Sequence, residues 1–149
     1  MKFLNRFLED ERDYNRLKAC VKRGRLPVAA AGLTGIHKAV IADALCCSLE
    51  RKILMITDTE AAASALRDDL VSLGVSAGYL PVRDYNFASA DGYSKEYEIM
   101  RIDTLSRLLD GDFAVVCAGI ESATQYTVLP SVLARGTFTV STADTVSIE

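Results

Sequence analysis

Gly32-Leu33-Thr34-Gly35-Ile36-His37-Lys38-Ala39 has the spacing of a phosphate-binding loop with two of its parts replaced. The intact pattern, G-x-x-x-x-G-K-[ST], follows a buried strand and opens a helix. Gly32 and Lys38 stand where that pattern wants them, but its second glycine is His37 and its metal-binding hydroxyl is Ala39. Glycines let backbone N–H groups close around phosphate oxygens with no Cβ in the way. An imidazole at 37 adds bulk, and about 1–2 kcal/mol of strain if the backbone there must be left-handed. Ala39 is the graver loss. Phosphoryl transfer rests almost wholly on positioning and charge, and without the hydroxyl Mg²⁺ loses a protein ligand. Lys38 can still draw an anion to the helix N-terminus. The degenerate loop of Gly32, Thr34, Gly35, His37, Lys38 and Ala39 is thus the candidate cofactor-binding site. It is expected to be vestigial, with no hydrolysis and at best weak nucleotide binding.

Working outward, Val28–Ala31 reads as a short apolar strand before the loop. A helix over about 36–49 turns Ile36, Val40, Ile41, Ala44, Leu45, Ser48 and Leu49 to one face. Ile53-Leu54-Met55-Ile56 is an apolar run expected of a strand buried on both faces. Thr59 caps a helix over 60–73 with the stripe Ala62, Leu66, Leu70 and Leu73, and Gly74 stops it. Tyr79-Leu80 is a short strand ending at Pro81, and 81–93 reads as a loop. Ser94 caps a helix over 95–110 with Ile99, Ile102, Leu105, Leu108 and Leu109 expected inward. Phe113–Cys117 is a buried strand, 120–126 a short helix, and Thr137–Val140 alternates like a less buried strand. Upstream, 3–8 and 11–24 have helical spacing, closed by Gly24 and Pro27.

Strand and helix alternate with crossovers too long for hairpins. This predicts an α/β fold: a parallel sheet flanked by helices, like that of the phosphate-loop NTPases. The expected organisation is a helical segment at 1–25, the α/β domain at 26–135 and, at 136–149, the start of a following domain. Ser147-Ile148-Glu149 has the grammar of a helix start, so the chain is expected to continue beyond it.

A chain of 149 residues is one domain in size. That is long enough to bury ~68–70% of its unfolded surface. With 17 basic and 20 acidic residues the net charge is −3, so the total calls for no anionic partner. Lys18, Lys22, Arg23 and Arg25 read as a solvated helix face. Cys20, Cys46, Cys47 and Cys117 have no C-x-x-C spacing and His37 is the sole histidine, which argues against zinc. The charged N-terminus is no signal peptide, and no apolar run spans a bilayer. Cytoplasmic location with reduced thiols is the default expectation. Tyr79, Tyr85, Phe87 and Tyr93 have stacking potential but few interleaved cations, so loop packing is the better reading. Asp58 and Asp84 lie where catalytic acids often sit, yet with no partner base they read as turn and cap residues.

Three segments together carry a resemblance: the loop Gly32–Ala39, Pro81-Val82-Arg83-Asp84-Tyr85, and Glu98-Ile99-Met100-Arg101 leading through Leu105 and Leu108 to Phe113–Cys117. In this order and spacing they resemble the first domain of the bacterial transcription-repair coupling factor. That N-terminal module is similar to the damage-recognition component of the bacterial excinuclease, its B component. The likeness runs from about Leu26 to Leu129. The excinuclease component has an intact loop, and an aromatic insertion that grips damaged DNA. Here His37 and Ala39 break the loop, and Tyr85–Tyr93 is compact.

The resemblance therefore implies a module without ATPase or damage-wedging ability. It implies a place in a protein that recruits the A component of the excinuclease and displaces stalled RNA polymerase. ATP, magnesium and DNA are expected only at the motor of a full-length relative. The main contacts for the excinuclease are expected only beyond Glu149. No cofactor, catalytic residue or metal ligand is expected within these residues, and no membrane partner. Two alternatives stand beside this reading: a small NTPase or kinase with an atypical loop, and a non-catalytic nucleic-acid-binding domain.

Overall fold

The computed structural model describes residues 2–83, 95–138 and 141. The expectations for Asp84, Tyr85, Phe87, Tyr93, the Ser94 cap, residues 139–140 and the Ser147–Glu149 helix start fall outside the described residues. The elements run α1 (Lys2–Asp10), α2 (Arg12–Lys22), α3 (Gly35–Leu49), β1 (Ile53–Thr57), α4 (Glu60–Ser72) and β2 (Ala77–Leu80). They continue with α5 (Glu96–Asp110), β3 (Val115–Gly119), α6 (Ile120–Thr124) and α7 (Pro130–Gly136).

The fold is α/β: a three-stranded parallel sheet in the order β1-β3-β2, flanked by helices. From β1 the chain crosses β3 through α4 to reach β2, then returns through α5 to place β3 in the middle. Right-handed crossovers running in opposite directions put their helices on opposite faces. The packing agrees. Val115 and Cys117 of β3 join Ala39 and Ala42 of α3 and Ala63, Leu66 and Leu70 of α4 in one core. Val116 and Ala118, facing the other way, join Leu80 and Phe113, with Leu105 and Leu108 of α5 and Ala123 of α6 against them. β3 is buried along its whole length, which is why its sequence is unbroken apolar.

Local chemistry sets the boundaries. The Thr59 hydroxyl accepts from the Ala62 N–H at 3.2 Å and opens α4. Gly111 ends α5 at φ +91, a conformation where a Cβ would strain the chain. The α1–α2 pair packs on α3 through Asn5 to Asp43 (3.0 Å) and through the buried Tyr14 hydroxyl with Ser48 (3.1 Å).

Four expectations need correction. Val28–Ala31 is not a strand: it is exposed, and no backbone hydrogen bond joins it to the sheet among the described residues. One valine and three alanines offer little apolar area and weak strand preference. They instead line a cleft of about 530 Å³ shared with Tyr14, Leu17 and Ile41. The second concerns β1, expected to be buried on both faces. Leu54 is 57% and Ile56 51% exposed, because the apolar cluster on their face gathers around Leu80, Phe113, Val116 and Ala118 and takes in neither of them. Third, Ile99, Ile102 and Leu109 of α5 point outward, while Arg101 and Thr104 are buried at 4% and 6%. Last, Thr137 and Phe138 belong to no strand, and α7, which the sequence pattern does not announce, precedes them.

Candidate functional site

The loop leaves Gly32 at φ +77, which favours glycine, and reaches the extended Thr34 that N-caps α3. Helix geometry begins at Gly35, so His37 lies in the first turn with right-handed backbone and carries no left-handed strain. Its ring turns back. Nδ1 of His37 accepts from the Thr34 backbone N–H at 3.5 Å and lies 3.1 Å from the Thr34 hydroxyl. Accepting the N–H requires an unprotonated Nδ1, so the hydroxyl is the second donor. This is a capping box with imidazole in the place of the usual Glu or Gln. Donors at the N-terminus that would be open to an anion are partly spent on a side chain of the same turn. The sequence carries this signal as T-x-x-H over 34–37, but capping grammar looks only for Glu or Gln at that position and passes over it.

Ala39 is fully buried and belongs to the α3–α4–sheet core. Its methyl packs against that core, so position 39 serves packing rather than a metal. Lys38 is exposed on the rim of a cleft of about 420 Å³ that also includes Gly35, Thr57, Asp58, Ala62 and Asp69. This cleft is within the size range of ligand sites, and it lies at the carboxyl end of β1, where open α/β sheets bind ligands. Its charge is wrong for phosphate. Asp69 Oδ2 lies 3.5 Å from where a Cβ on Gly35 would stand, and Asp58 faces the same space. A unit charge at ~4 Å near a protein surface is worth about 4 kcal/mol, whereas a helix N-terminus contributes about 0.3–1 kcal/mol. Two carboxylates outweigh one lysine. Nothing in the sequence pattern draws attention to Asp69, because only the packing of α4 on α3 brings it to the loop.

At the carboxyl ends of β2 and β3 lies a second polar cluster. Buried Arg101 donates from Nη1 to the Pro81 carbonyl and to Ser122 Oγ, both at 2.8 Å, and from Nη2 to the Ser122 carbonyl at 3.3 Å. Ser122 is fully buried and its hydroxyl also reaches the Leu80 carbonyl at 2.8 Å. Arg83 Nε pairs with Glu98 at 3.2 Å. Gln125 grips the Arg83 backbone at both its N–H (2.7 Å) and its carbonyl (3.1 Å). The segments beginning at Pro81 and at Glu98 thus meet in space and are knitted together.

Nearby, Glu60 Oε2 accepts from the Tyr79 hydroxyl (2.7 Å) and from the Val82 N–H (3.1 Å). Burial, then the hydrogen bond and charge of Glu60, push the Tyr79 phenol well above its ordinary value. Glu60 fits there because β3 ends in Gly119, where a Cβ would collide with its carboxylate. Among the thiols, burial, followed by the charge of Asp43, raises Cys46 and Cys47. Cys117 is raised by burial to about 11.

No group of three or more His, Cys, Asp or Glu among the described residues could hold a metal ion, and no helix there is long and apolar enough to cross a membrane. Comparison of the chain with family models, curated proteins and solved structures found no match.

Proposed function

We propose that this chain is a non-hydrolytic structural and interaction module, of the kind that opens the bacterial transcription-repair coupling factor. In that reading it sits within a DNA translocase that displaces stalled RNA polymerase and recruits the A component of the excinuclease. The finer fold assignment is a domain of the phosphate-loop type that keeps the turn into α3 but, among the described residues, not the strand ahead of it. The observation that carries the proposal is the state of the loop: Thr34 donors engaged by His37, Ala39 in the core, and Asp58 and Asp69 beside Lys38. The joint between the Pro81 and Glu98 segments supports it further, since two of the three resembling segments serve one structural purpose. ATP, magnesium and DNA then belong to a motor elsewhere in a longer polypeptide.

Phosphate release from ATP tests this directly. Wild type and Lys38→Ala are expected to release phosphate at the same rate as buffer. Turnover by wild type that Lys38→Ala abolishes would overturn the proposal in favour of a small NTPase or kinase.

A further inference from the structure

We draw no further inference here: the strongest candidate, the uncovered apolar flank of the sheet at Leu54 and Ile56 along the edge strand β1, carries nothing because nothing in the structure shows what covers it.

Discussion

An imidazole at the third position of α3 closes the turn on itself, and the closure has a measurable worth. An intramolecular hydrogen bond contributes about 0.5–1.5 kcal/mol net, and an exposed one at a helix end lies at the low end of that range. His37→Ala is therefore expected to lower stability by about that amount, read from the urea midpoint. An unchanged midpoint would mean that the Thr34–His37 contact contributes nothing. A second residue-scale expectation concerns alkaline pH. Tyr79 has a folded pKa above its unfolded value of 10.0, so the folded state holds the proton longer. Its contribution is fully present below pH 10.0 and is lost as pH rises beyond it. Cys117 acts in the same sense between its ordinary 9.0 and about 11. Stability should fall as pH rises above 9.0, and Tyr79→Phe should flatten the upper part of that slope. A slope identical in Tyr79→Phe would remove the phenol from the account.

Helix α5 shows at the scale of elements why periodicity alone misleads. Its apolar residues Ile99, Ile102, Leu105, Leu108 and Leu109 form an apparent inward stripe, yet the helix docks through Arg101, Thr104, Leu105 and Leu108. Carbonyls at the end of β2 set this rotation: Thr104 donates to the Tyr79 carbonyl at 2.8 Å and Arg101 to that of Pro81. Those buried acceptors must be satisfied: without Arg101 the single Ser122 hydroxyl hydrogen is left to serve both the Leu80 and Pro81 carbonyls, and an unmet acceptor costs about 1–3 kcal/mol, comparable to burying a whole aliphatic side chain. Arg101→Met is accordingly expected to lose about 2–3 kcal/mol in denaturant unfolding, while Ile99→Ser changes stability by less than about 0.5 kcal/mol. The reverse ranking would restore the apolar stripe to the core. Close packing makes a parallel demand on glycine: at Gly78 a Cβ would lie 2.8 Å from the Phe113 ring, and at Gly119 3.2 Å from the Glu60 backbone nitrogen. Gly119→Ala should cost about 1–3 kcal/mol, since the backbone at Glu60 cannot yield as a flexible side chain can. What held at this scale were Thr59, Gly24 and Gly74, which act where local grammar put them. Strand pairing depends on neighbours that no window contains, so the apolar run Val28–Ala31 reads as a strand yet has no ladder partner among the described residues.

Across the whole molecule, the alternation of apolar runs and helices made the parallel α/β class legible, and the crossovers fix the helices to both faces. The sequence drew attention to Gly32, His37, Lys38 and Ala39, and the structure places them in the turn that enters α3 and in the first turns of that helix. The charge of the site was not legible, because Asp69 comes to line the same cleft as Lys38 and Asp58 only once α4 lies against α3. The cleft of about 420 Å³ lies at the end of β1, with Lys38, Asp58 and Asp69 among its lining residues. The most direct measurement is a calorimetric titration of the chain with Mg-ATP at moderate salt, alongside Lys38→Ala. No resolvable heat of binding is expected for either protein. Tight, magnesium-dependent binding by the wild type that disappears in Lys38→Ala would contradict it.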